Sequence, residues 1–168
     1  LRKEQGEEFR NSQLASEGTK ANDLRQSGKA AAAAQIYRHM LEERPDSAST
    51  AYNLALALEA TGDREEAEDA LRKAIDIDPK LAKVQAELGR LKLAEGDLQA
   101  AQKWLDSALS LEPELVEARG NLAMVHAKKG DLVSAEAYAR AAVEAGGDEQ
   151  GVYRQTLRAI QDRRSRLP

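Results

Sequence analysis

A period constrains this chain more than any other feature. Gly28, Gly62, Gly96 and Gly130 stand 34 residues apart, and so do Pro45, Pro79 and Pro113, with Gly147 in the place of a fourth Pro. Ala33, Ala67, Ala101 and Ala135 keep the same interval. Four residues after each Ala comes Tyr37, Leu71, Leu105 or Ala139, and three later Met40, Ala74, Ala108 or Ala142. Steps of four and three put side chains on one face of a helix, so each copy carries an apolar helical stripe. The stretches GDREEAEDALRKAIDIDP (62–79) and GDLQAAQKWLDSALSLEP (96–113) share few residues, yet Gly, Asp, Ala, a large apolar residue, Ala and Pro keep their offsets. A period in this range is the mark of a stacked repeat rather than of a single closed domain.

Each period holds two short helices. A second helical phrase precedes each Gly: Leu54, Ala55 and Leu58 in one copy, Leu88 and Gly89 in the next, Leu122 and Ala123 in the third. The Gly is placed to end the first helix in a left-handed conformation that side chains resist. Asp63, Asp97 or Asp131 follows it as a cap for the second helix. Pro then closes the unit, because it lacks an N–H donor and pushes the residue before it out of the helical region. The small residues Ala55, Gly89 and Ala123 let the paired helices approach closely.

This pattern resembles the tetratricopeptide repeat, whose signature is a large residue, Leu and a small residue in the first helix, then Ala, a bulky residue and Pro around the second. Four copies cover residues 14–149, divided as 14–47, 48–81, 82–115 and 116–149. Lys20 in place of Leu, Lys92 in place of an aromatic and Gly147 in place of Pro depart from it. The expected fold is all-α, a right-handed α-α superhelix that stacks antiparallel helix hairpins into a solenoid. No repeat buries both of its own apolar faces, so the last needs a cover. Residues 150–168 supply a C-terminal capping helix and basic tail: Tyr153, Leu157 and Ile160 form one stripe, with Arg154, Arg158, Gln161 and Arg163 facing outward. Residues 1–13 form an N-terminal extension, read as the remnant of an upstream second helix because Phe9 lies one step before Glu43.

Composition narrows the function. Charged residues make up 32% of the chain with a net charge of −4 and both signs interspersed, which suits a solvated helical surface and opposes a general affinity for nucleic acid. No apolar run reaches the roughly 18 residues that would insert into a membrane. Cysteine is absent, so disulfides and thiolate metal sites are excluded. The Ala- and Arg-rich composition has a bacterial character. Because the chain begins at Leu1, the lack of a leader says nothing of compartment.

The inventory for catalysis is thin. His39 and His126 fall in a second and a first helix of different repeats, and His126 takes the packing register of Leu58. Carboxylates such as Glu65, Glu66, Glu68 and Asp69 read as a solvated helical face, with Glu68 and Arg72 one turn apart. Trp104 reads as helix packing before binding anchor. The five arginines from Arg154 to Arg166 complement the dipole at a helix end. The expectation is a protein that is not an enzyme and needs no cofactor and no metal.

The resemblance also implies where a partner would dock, since first helices of this family line a concave surface that takes extended or helical peptides. Carried onto this chain, the lining is Asn22 and Arg25, then Tyr52, Asn53 and Leu56, then Lys83, Glu87, Arg90 and Leu93, and finally Asn121, Met124 and Lys128, with Ala86 and Gly120 between them. Asn22, Asn53 and Asn121 would hold a ligand backbone, because an amide side chain both donates and accepts. Lys83 and Arg90 would meet acidic groups, and Tyr52, Leu56, Leu93 and Met124 would give apolar contact. Some relatives clamp a C-terminal carboxylate with asparagines and basic residues. Asn22, Asn53 and Lys83 stand in that register, but Gly18 and Glu87 replace two of its cations, which favours a general peptide groove. The alternative is a structural spacer or a unit of self-association.

Overall fold

The computed structural model describes residues 2–146 and 150–166, with side chains for 6–146 and 151–166. Among these residues the chain is all helix: α1 (Arg2–Gln26), α2 (Ala30–Glu43), α3 (Ala48–Thr61), α4 (Arg64–Ile77), α5 (Ala82–Glu95), α6 (Leu98–Leu111), α7 (Val116–Lys129), α8 (Leu132–Ala145) and α9 (Gln150–Ser165). Two compact units divide them, Leu1–Pro79 with α1 to α4 and Lys80–Pro168 with α5 to α9.

The turns form as the repeated Gly requires. Gly28, Gly62, Gly96 and Gly130 all take positive φ, between 78° and 92°. After Gly62, the Asp63 N–H reaches back to the Leu58 carbonyl at 2.9 Å while the Gly62 N–H bonds Glu59, so the last orphan carbonyls of α3 are satisfied. The same pair of bonds recurs at Gly28, Gly96 and Gly130. Asp97 and Asp131 then cap α6 and α8 by accepting from the Ala100 and Ser134 N–H groups at 2.9 and 3.1 Å. Asp63 departs from this expectation. Its carboxylate accepts from the Thr61 hydroxyl at 2.6 Å, a local competitor that the other two turns lack, and makes no cap bond. At the far ends, Arg44, Asp78 and Glu112 leave the helical region immediately before Pro45, Pro79 and Pro113. Gly147 lies outside the described residues; α8 ends at Ala145, with Gly146 at φ 80°.

In the first unit α1 pairs with α2, α2 packs on α3, and α3 pairs with α4. Ala33 and Ala67 are wholly buried, with Tyr37, Leu71 and Ala74 beside them. Residues 2–13 run into the first repeat without a turn, as part of α1. Neither Pro nor a left-handed Gly interrupts it. Residues 6–13 are exposed, Phe9 among them, and Leu14 is where burial begins.

In the second unit α5 pairs with α6, α7 packs on both, and α8 pairs with α7. One buried cluster joins Ala82, Ala86 and Leu93 of α5 to Ala101, Leu105 and Ala108 of α6 and to Ala118, Leu122 and Val125 of α7. Gly89 sits at the α5–α6 crossing, where an added Cβ would stand 2.7 Å from Leu105 Cγ and 3.2 Å from the Ala101 carbonyl oxygen. His126 occupies the packing register expected of it. Its ring stacks on Tyr138 at 5.4 Å, and its Nδ1 lies 3.1 Å from Asp131 in the turn.

Helix α9 covers the last hairpin. Ile160 joins a cluster with Ala123, Ala135 and Ala139, Leu157 packs against it, and Tyr153 is buried. A polar latch reinforces this seat. Glu136 of α8 accepts from Gln161 Nε2 at 3.1 Å and Arg164 Nη1 at 2.6 Å, both on α9, and from Arg140 Nη2 at 2.8 Å within α8. Donation from Gln161, then from Arg164, holds the Glu136 carboxyl below its ordinary range.

Two outcomes follow from this packing. Gly89→Ala gains about 1 kcal/mol of helix propensity but forces the buried Leu105 to move, a cost of about 1–3 kcal/mol. Urea unfolding is expected to show a net loss of up to about 2 kcal/mol, although Ala is the residue at 55 and 123. Because the folded Glu136 value is lowered, its contribution is present above the unfolded carboxylate range and lost as pH falls through the folded value. Glu136→Gln is therefore destabilising at neutral pH, and its urea midpoint converges on that of the parent as pH falls through the folded Glu136 value.

Candidate peptide-binding faces

In the first unit, Tyr52, Asn53 and Leu56 fall on the side of α3 turned from Ala51, Leu54, Ala55 and Leu58, which are buried. All three are half-buried, so the face is neither core nor open surface. Asn22 and Arg25 are more committed to the hairpin than a binding role alone requires. The Tyr37 hydroxyl donates to Asn22 Oδ1 at 2.8 Å. Burial pushes the Tyr37 phenol above its ordinary range, while the Arg25 guanidinium beside it acts in the opposite direction. Arg25 Nε is itself buried without a hydrogen-bond partner. What remains of Asn22 for a ligand is its amide N–H groups.

In the second unit the α5 residues divide. Lys83 is exposed. Arg90 donates from Nε and Nη2 to Glu87 Oε1 at 2.8 and 2.7 Å, so a ligand carboxylate meets a paired arginine rather than an open one. Leu93, expected on the groove, is core: it is 6% exposed and packs in the α5–α6–α7 cluster. Glu59 holds the same place in the preceding repeat, where the residue is polar and stays at the surface of its helix. An apolar residue there is free to turn into contact with α7, and burial favours it. Ala86 is buried in the same cluster. Gly120 is also no lining residue, because Tyr153 of α9 lies over it; a Cβ at 120 would come within 2.3 Å of the ring.

On α7, Asn121, Met124 and Lys128 share one stripe at spacings of three and four. Asn121 is half-buried, Met124 is 42% exposed and Lys128 is exposed. Met124 and Lys128 open onto a groove of about 340 Å³ whose opposite wall is α9. Gln155, Thr156, Ala159, Ile160 and Arg163 form that wall. Arg163, expected to face outward, donates from Nη1 to the Ala127 carbonyl at 2.9 Å, across from α9 to the last turn of α7. Sequence spacing places α9 as a cover but gives no sign that it also walls a groove, because that depends on how far the helix rolls over α7. The signal available was Gly120 itself, a small residue where something large must lie.

Of the clamp register, Asn22 and Asn53 lie in the first unit and Lys83 in the second. Gly18 is a packing position, with space for a Cβ 3.4 Å from Met40 Cε. Among the described residues no cluster of three or more His, Asp or Glu side chains could hold a metal ion, and no helix is long and apolar enough to cross a membrane.

The tetratricopeptide repeat family model matches the chain twice, over residues 24–91 and 92–160. No curated protein sequence matches it. Among solved structures, one described as a functional characterisation of pilF from Pseudomonas aeruginosa aligns over 94% of this chain and 71% of its own, with 20% identity and a TM-score of 0.82. MamA 41-end from Desulfovibrio magneticus RS-1 aligns over 92% of this chain and 97% of its own, with 13% identity and a TM-score of 0.71. The first TPR of Spaghetti (RPAP3), bound to the HSP90 peptide SRMEEVD, aligns over 70% and 93%, with 22% identity and a TM-score of 0.66. At these identities the likeness is one of fold, and the two named bacteria are consistent with the bacterial character of the composition. With the repeat matched across both units, the chain belongs to the tetratricopeptide repeat family.

Proposed function

We propose that this chain is a non-catalytic protein–protein interaction scaffold that binds a peptide segment of a partner on the concave faces of its repeats. The observation that carries this reading is the α7 stripe: Asn121, Met124 and Lys128 stand together on one side of the helix, outside its buried core stripe, with Met124 partly open to water. Tyr52, Asn53 and Leu56 offer the same mixture in the first unit. An amide that can both donate and accept, beside an apolar contact, suits the backbone and side chain of a peptide. A similar structure is a repeat of this family with a peptide bound, which supports the class of ligand and leaves its identity open.

Selection from a random peptide display library tests this with the full chain as bait. Binding peptides are expected to emerge, and Asn53→Ala or Asn121→Ala to weaken those that use the corresponding unit by roughly 10- to 100-fold, the scale of one buried hydrogen bond left unmade. Helicity and melting temperature should not change. Binding indifferent to both substitutions would refute the assignment. No selected peptides, together with a light-scattering mass at a fixed multiple of 18.3 kDa, would favour self-association instead.

A further inference from the structure

We propose that the groove between α7 and α9 seats an apolar side chain of an acidic peptide, with the peptide's carboxylates held at Lys128 and Arg163. This rests on the scaffold reading and adds to it a place and a ligand chemistry. At about 340 Å³ the groove falls within the roughly 300–1,000 Å³ range of ligand-sized clefts. Its apolar part is Met124, Ala127, Ala159 and Ile160, and its charged lining is Lys128 and Arg163 with no carboxylate. Other grooves of this chain differ. The one along α2 to α4 mixes Arg38 and Lys73 with Glu42, Glu66 and Asp69, and the one along α8 mixes Arg140 and Arg164 with Glu136 and Glu144.

The two cations are placed differently. Lys128 is exposed and carries a mobile point charge. Arg163 is anchored by its bond to the Ala127 carbonyl, which fixes the guanidinium at the end of α7 and leaves further N–H donors for a second acceptor. The dipole of α7 opposes an anion there with about half a charge, but two full cations outweigh it. Met124 lies one turn earlier on α7 and Asn121 nearly one turn before that, so the order along the groove is amide, apolar floor, cations. A peptide with carboxylates next to Leu matches that order, and the pliable thioether adapts to the anchor's shape.

The test titrates acetyl-Glu-Asp-Leu-Glu-Asp-amide into the full chain with 13C-labelled Met and Ile methyl groups, followed by NMR. The chain has two methionines, so Met40 is an internal control for Met124. Saturable shifts are expected at Met124 and Ile160, with Met40 unmoved. Affinity should fall about tenfold or more for Lys128→Glu, fall again as salt rises, and survive in Lys128→Arg. A peptide with Lys at every acidic position should leave both methyls still. Shifts absent at Met124 and Ile160 to millimolar peptide, or equal for the basic peptide, overturn the inference. If display-selected peptides bind elsewhere on the chain, the scaffold reading stands without this site; if none bind at all, both fall.

Discussion

Where the two helices of a hairpin cross, one of them carries almost no side chain. At the α5–α6 crossing that residue is Gly89, against which Leu105 packs so closely that even a methyl group would collide. Ala123 holds the equivalent place on α7 and Ala55 on α3, each buried. The contact sets how near the helices lie, and with it how deeply the repeated alanines 33, 67, 101 and 135 are buried on the second helix. Dispersion at short range is small per atom pair but accumulates over such a seam. The positive-φ turns hold the helices antiparallel so that this seam can close.

A hairpin built this way still has an apolar face to cover, and in the second unit α9 covers the last one. Ile160 and Leu157 supply the buried area, the Glu136 latch adds direction, and Tyr153 fills the space above Gly120. Surface ion pairs of this kind are screened by solvent and contribute little, so the apolar stripe rather than the latch accounts for most of the docking. By lying beside α7 the cover acquires a second face, on which Ala159, Ile160 and Arg163 look across a groove toward Met124 and Lys128.

The repeat was legible in the sequence because its signals are local. A Gly that must turn left-handed, an Asp after it and a Pro one helix later act within a few residues of themselves, and they act the same way in successive copies. The stripe of Tyr153, Leu157 and Ile160 was legible for the same reason. What failed were inferences that depend on a neighbouring helix. Leu93 has the spacing of a groove residue but is drawn into the core by α7, and Gly120 is hidden by a tyrosine 33 positions further along. The pairing of Glu87 with Arg90 was within reach, since residues three apart on a helix are neighbours. Thr61 diverting Asp63 from its cap was also local, yet two acceptable local bonds competed and composition alone did not rank them.

The central claim is that partner recognition belongs to the first-helix faces, and a crystal structure of the chain with a display-selected peptide tests it most directly. The account predicts the peptide lying along Asn121, Met124 and Lys128 of α7 or along Tyr52, Asn53 and Leu56 of α3, its backbone bonded to an asparagine amide. A peptide seated on the outer faces of α4, α6 or α8, with those side chains left in water, would contradict it.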